Sequence, residues 1–228
     1  MDNAQKSLAT DAPRPYHHGD LWHALVQAGL AILREEGVHG LTLRAVARRA
    51  GVSHSAPYRH FADKDALLAA IGEDGFNRLS QGMRAVIESY DGDLVALLHG
   101  VAHAYIRFVA ENTDHVRVMF SGLLSCFDEY PNLAEAAGRS FQDVVEIMQL
   151  CQREGLIAAG DPRQQGFMAW SMVHGLANIL IEEGFPVAEK TGLDIQQMTD
   201  ACVDTLIRGL QSPHNGTQVA ANSQHVIS

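Results

Sequence analysis

Apolar residues recur every three or four positions through most of this chain, interrupted at short intervals by Gly, Pro, Asn or Asp, and no segment alternates as a half-buried strand would. The pattern predicts an all-α protein without internal repeats. A first helix is expected from about Asp20 to Glu36, with Leu21, Leu25, Ala28 and Ile32 facing inward and Gly37 as a left-handed stop. Thr42 is placed to cap a short second helix, LRAVARRA. Its apolar face is Leu43, Val46, Ala47 and Ala50, and its Arg44 and Arg48 turn outward together. Gly51 supplies a tight turn and Ser53 a cap for the next helix. That segment, SHSAPYRHF, is too short and too polar to stand alone, so it must pack on the two helices before it. A long helix follows from Asp63, through Leu67, Ile71, Leu79, Met83 and Val86. Gly72, Gly75 and Gly82 within it each cost about 1 kcal/mol of helicity relative to Ala unless packing needs them. Further helices over 93–110, 113–121, 132–154, 162–184 and 194–210 bring the total to about nine. Residues 1–15 and 211–228 lack such periodicity and are expected as mobile tails around two units, 16–65 and 66–210.

With 228 residues, 46% of them hydrophobic, the chain can bury a sizeable core. No apolar run approaches the roughly 20 residues of a membrane span, and the opening MDNAQKSLATDAPRP lacks the apolar block of a signal peptide. A cytoplasmic protein without a membrane partner is expected. Cys126, Cys151 and Cys202 are far apart and unpaired by motif, which points to neither a disulfide framework nor a cysteine zinc site. A net charge of −10 argues at first against a nucleic-acid partner, but the charge is unevenly spread. Residues 1–64 hold eight basic and six acidic side chains and six of the twelve histidines; the remainder holds nine basic and twenty-one acidic. A cationic head precedes an acidic body.

The head carries the most specific signal. Residues 41–71, LTLRAVARRAGVSHSAPYRHFADKDALLAAI, strongly resemble, without a gap, the tetracycline-repressor-like (TetR) family of bacterial regulators. In that family the stretch forms the second helix, turn, recognition helix and start of the fourth helix. The HHGDL opening, Pro57 and WSMVHGLA at 170–177 resemble one branch of it, with a WxxVHG-type C-terminal domain. The resemblance implies a three-helix helix-turn-helix DNA-binding domain followed by a larger helical domain for ligand binding and dimerisation. It also implies a repressor released from a palindromic double-stranded operator by a small, largely apolar effector, with no catalysis and no cofactor.

The residues suit that role on physical grounds, because a helix-turn-helix sends one short segment into the major groove while its neighbours grip phosphates. Ser53, His54 and Ser55 begin the recognition segment, where hydroxyl and imidazole groups can reach base edges. Tyr58 and His60 match family positions that bind the DNA backbone, and Thr42 and Lys64 lie at helix starts suited to phosphate oxygens. Arg44, Pro57 and Arg59 complete the candidate DNA-binding set. Pro57 stands where the broader family carries an apolar non-proline residue; in a first turn its missing N–H is tolerable.

In the body, an apolar or aromatic effector would need soft, large side chains with a few polar handles. Met119, Phe120, Phe127, Phe141, Met148, Phe167 and Trp170 fit the first need, and His103, Arg107, Cys126 and His174 the second. Most such residues at helical spacing are plain core. His99 and His103 share a helical face and could ligate a metal with His174 or a carboxylate, but a pair without a located third ligand defines no site, so no metal is assigned. Trp170, Val173, His174, Ala177 and Leu180 form one stripe, and Ile195, Met198, Cys202, Leu206 and Leu210 another. Either could be intramolecular core; the family resemblance makes helices 162–184 and 194–210 the homodimer interface. An enzyme built on the histidines would lack a nucleophile elbow, a phosphate-cradling loop and a complete metal motif. A nonspecific architectural DNA binder fits poorly with the acidic body and single compact recognition segment.

Overall fold

The computed structural model describes residues 18–120, 122–123, 129–181, 192 and 194–211. They form eight α-helices and one 3-10 turn, with no strand among them. In order these are α1 (His18–Gly40), α2 (Leu43–Arg49), the 3-10 turn (Pro57–Arg59), α3 (Lys64–Glu88), α4 (Leu94–Glu111), α5 (Thr113–Phe120), α6 (Pro131–Arg153), α7 (Pro162–Ile181) and α8 (Ile195–Gln211). The all-α reading therefore holds. The expected tails, apart from Gln211, lie outside the described residues, as do Cys126, Phe127 and the last residues of the helix expected to reach 184. The chain divides into two compact units between Leu67 and Leu68.

In the N-terminal unit, α1 and α2 pack through Leu25, Val26, Ile32, Leu41, Leu43 and Val46, with Phe61 closing the core from the far side of the turn. Gly37 takes φ 70° and breaks the regular run of α1, a conformation that a side chain with a Cβ disfavours. Thr42 caps α2, its hydroxyl accepting from the Ala45 N–H at 3.1 Å. Arg49 forks onto Glu35 through two 2.5 Å contacts, joining α2 to α1.

The recognition segment differs from expectation. Residues 53–56 are not helical, and only Pro57–Arg59 winds, as a single 3-10 turn. Pro57 has no N–H to give the Ser53 carbonyl, which accepts instead from Ala56 N–H at 3.0 Å. The Ser53 hydroxyl does not cap a helix; it lies 3.3 Å from the Ser55 hydroxyl. Phe61 N–H then bonds the Pro57 carbonyl at 2.9 Å and anchors the turn to the core.

In the C-terminal unit α4 packs against α7 and α8, and α7 packs also against α6. By length and composition α4 could cross a membrane, but Leu98, Ala102, Tyr105, Ile106 and Val109 are buried against the surrounding helices. Two of the α3 glycines are closely approached by side chains of other helices. A Cβ on Gly75 would sit 2.5 Å from the Met119 sulfur, and one on Gly72 would sit 3.0 Å from Leu133 Cδ1, whereas Gly82 has nothing within 4 Å. Polar ties fix α3 on both sides. Buried Asp143 of α6 accepts from Ser80 Oγ at 2.6 Å and Arg84 Nη2 at 2.5 Å. Asp74 bonds Arg78 Nε at 2.7 Å and His115 Nε2 of α5 at 3.0 Å. Burial works to raise the Asp74 carboxyl, but the His115 and Arg78 hydrogen bonds outweigh it and leave it below the usual range.

Candidate nucleic-acid interface and apolar chamber

Within the N-terminal unit the turn presents its polar side chains outward. Ser53, His54, Ser55, Tyr58 and Arg59 are exposed, Tyr58 by 53% although it is a large aromatic. Arg44, Arg48 and Thr42 are exposed on and before α2. Hydroxyl, imidazole, phenol and guanidinium groups thus share one short stretch of surface chain, the mixture that base edges and phosphates require. Three of the candidate contacts are placed otherwise. Pro57 is buried and shapes the turn. His60 is half-buried beside Phe61, with ring centroids 6.1 Å apart. Lys64 is half-buried and donates to the Val38 carbonyl at 2.8 Å, which commits one of its three hydrogens within the unit.

The C-terminal unit encloses a chamber of about 320 Å³ lined by Phe76, Leu79, Met83, Tyr105, Phe120, Ala137, Ser140, Phe141, Val144, Phe167 and Trp170. A smaller space of about 60 Å³ adjoins it across Met83, Tyr105, Val144 and Trp170, and Met148 lines that one. The walls are aromatic and mutually oriented: Phe76 meets Phe120 edge-on at 5.6 Å, and Phe167 lies 5.5 Å from Trp170. His174 stacks on Trp170 at 4.9 Å and lies 4.5 Å from Phe120. Its Nδ1 is 2.6 Å from the Tyr105 hydroxyl. Burial pushes the Tyr105 phenol up and the His174 imidazole down, so both are neutral at pH 7. A protonated phenol donating to Nδ1 leaves the ring hydrogen on Nε2. The chamber therefore pairs an apolar wall with the buried Tyr105 hydroxyl, held from behind by half-buried His174, and the Ser140 hydroxyl.

The sequence candidates for the effector are thus divided. Phe120, Phe141, Phe167 and Trp170 line the chamber, and His174 backs it. Met119 is a core residue against Gly75, and His103 and Arg107 lie on a separate cleft with Gln196 and Asp200. Phe76, Leu79, Met83, Tyr105, Ala137, Ser140 and Val144 were missed. Tyr105 had a signal: it shares the inward face of α4 with Leu98, Ala102 and Val109, where a lone hydroxyl needs a partner. His174 does not join the His99/His103 pair.

The two apolar stripes read from sequence turn inward where they are described, with Val173, Ala177, Leu206 and Leu210 buried and Trp170 and Cys202 packed against the core. Ile195 is the exception, 45% exposed at the start of α8. The outer face of α7 is apolar too: Met168, Met172 and Ile179 are exposed in line with Gly175. Beside it in sequence terms, α8 exposes Ala201, Thr205 and Gly209 at intervals of four.

Residues 25–71 match the family model for bacterial regulatory proteins of the tetR family, and residues 98–206 match that for a tetracyclin repressor-like C-terminal domain. Among curated proteins, YobS of Bacillus subtilis (strain 168), an uncharacterized HTH-type transcriptional regulator, is 25% identical over 82% of this chain and 90% of its own length. The tetracycline repressor protein class A from transposon 1721 of Escherichia coli is 33% identical over 42% of this chain and 43% of its own. Among solved structures, a protein of unknown function from Rhodococcus sp. RHA1 is similar with a TM-score of 0.75 and 32% identity, covering 88% of this chain and all of that one. The TetR family regulator PfmR from Thermus thermophilus shares the fold, with a TM-score of 0.63 at 19% identity over 82% of this chain and 99% of its own.

Proposed function

We propose, from the premise that this chain belongs to the tetR family of bacterial regulatory proteins, that it is a homodimeric repressor which leaves a palindromic operator when a small, largely apolar molecule enters the aromatic chamber. Membership itself makes the chain a helix-turn-helix transcriptional regulator and not an enzyme. The observation that carries the finer reading is the chamber. Its volume falls in the range of about 300–1,000 Å³ typical of small-molecule sites, and among apolar side chains its lining carries the hydroxyls of buried Tyr105 and Ser140. Phe76, Leu79 and Met83 of its wall belong to α3, the helix that begins at Lys64, so occupancy acts on a helix continuous with the DNA-binding unit. A ligand weakens DNA binding only by its differential affinity for the two states, and DNA must weaken the ligand by the same factor.

In this reading Ser53, His54 and Ser55 read bases, while Thr42, Arg44, Tyr58, Arg59 and Lys64 hold phosphates in the cytoplasm, where the DNA is. Two copies meet through α7 and α8, whose outer faces offer Met168, Met172 and Ile179 beside small residues that allow close approach. Selection of bound sequences from a random duplex library at stated salt, with the complex sized in parallel, tests this directly. A palindrome bound by a dimer and surviving excess random competitor supports it, and the selected site then serves to screen apolar compounds for release. Loss of all binding under competitor would sink it.

A further inference from the structure

We propose that His99, His103 and Asp200 form a binding site for a divalent transition-metal ion of the zinc class, separate from the aromatic chamber and clamping α4 to α8. His99 and His103 stand one helical turn apart on α4 and face α8, on a different side of α4 from Tyr105. His99 Nδ1 lies 2.9 Å and His103 Nε2 lies 2.7 Å from the same oxygen, Asp200 Oδ1. Their three potential ligand atoms fall within 4.8 Å of one another. Bonds of about 2.0–2.2 Å from zinc to nitrogen or oxygen set neighbouring ligand atoms on the order of 3.3 Å apart in a tetrahedral site. The two histidine–Asp200 separations therefore need to lengthen by less than about 1 Å to admit the ion, and Asp200 is half-exposed on α8.

A second feature points the same way. Metal-bound histidines characteristically donate their other ring N–H to a carboxylate, which fixes the tautomer. His99 Nε2 lies 3.0 Å from Asp204 Oδ1, one turn along α8 from Asp200. Donation there leaves Nδ1 as the lone-pair nitrogen aimed at the site. Two imidazoles select zinc, nickel, cobalt or copper over magnesium and calcium, which prefer all-oxygen sets. His103 and Asp200 also border the cleft shared with Arg107 and Gln196, so the remaining coordination positions adjoin it and take water or a small anion.

The plain alternative is a hydrogen-bonded staple that never meets a metal, and titration of the chelator-treated full chain with Co²⁺ separates the two. The site predicts saturable uptake of one ion per chain with visible absorption bands, displacement by Zn²⁺, and a rise in thermal midpoint on loading. His99→Ala/His103→Ala should lose all three, and His17→Ala/His18→Ala should keep them. Asp204→Leu removes the acceptor for His99 Nε2–H, leaves the three ligands in place and should weaken binding by about 10- to 100-fold; it reports even where the double variant fails to fold. No saturable uptake by the wild-type chain, uptake that survives in the folded double variant, or unchanged affinity in Asp204→Leu overturns the assignment.

Discussion

In the N-terminal unit the side chains with recognition chemistry, Ser53, His54, Ser55, Tyr58 and Arg59, stand outside a core of Leu25, Val46 and Phe61 that uses none of them. In the C-terminal unit Phe76, Tyr105 and Trp170 line the chamber and at the same time belong to, or pack against, the core. The contrast matches what the proposed partners would require. A duplex is read from outside by polar groups already in water, so the reading residues need not be part of the packing. An apolar molecule is bound by removal from water, so its site is made of the same surface that holds the unit together. Function and stability should separate in the first unit and be entangled in the second.

The largest effect that could break this contrast is at the chamber wall. Phe76→Ala removes a ring that is 5% exposed and should lower unfolding free energy by about 3 kcal/mol in urea titration, while also altering uptake of apolar ligands. Stability unchanged in that variant would mean that the wall is not core. At the turn, His54→Ala should relax base preference by about 1–3 kcal/mol at one position of the selected site and leave stability within about 0.5 kcal/mol. A clear drop in thermal midpoint would show that the turn is structural after all. Tyr58→Ala should weaken all duplexes alike by about 1 kcal/mol without changing salt dependence. Lys64→Ala should reduce the slope of log affinity against log salt by about 1. Lys64→Ala also sharpens the comparison: it gives up the Val38 carbonyl and should cost some stability, unlike its exposed neighbours.

Smaller effects test the long helix and its surroundings. Gly82→Ala should stabilise the protein by up to about 1 kcal/mol, having open space around it. Gly75→Ala should destabilise it, because Met119 and His115 occupy the space a methyl needs. For pH, His174 is held below its ordinary value of 6.5 by burial, so the unfolded chain binds a proton that the folded one refuses. Its stabilising share is complete above pH 6.5 and is lost as pH falls toward the depressed folded value. His174→Gln should flatten denaturation midpoints over that acid window, and an unaltered slope would remove His174 from the account.

Helix positions were legible in the sequence because amphipathic periodicity and terminal signals are local; α2 begins directly after Thr42, and α4, α6 and α7 begin within about a residue of the expected starts at 93, 132 and 162. The recognition segment was misread as helix, although its cause was in view: Pro57 removes the N–H that the Ser53 carbonyl would receive. The cluster of His99, His103 and Asp200 shows the opposite limit. His99 and His103 share a face by spacing alone, but Asp200 lies about a hundred residues away and only the packing of α8 on α4 brings it there.

The sequence by itself determined the all-α class, the helix order, the concentration of basic groups in the head and the identity of the turn residues, since each depends on neighbours a few positions apart. Tertiary structure alone decided which apolar stripes are core and which stay outside, that Tyr105 meets His174, and that α3, α4, α5, α6 and α7 leave a chamber between them. These are outcomes of helix faces meeting across long stretches of chain, and periodicity gives the existence of a face without its partner.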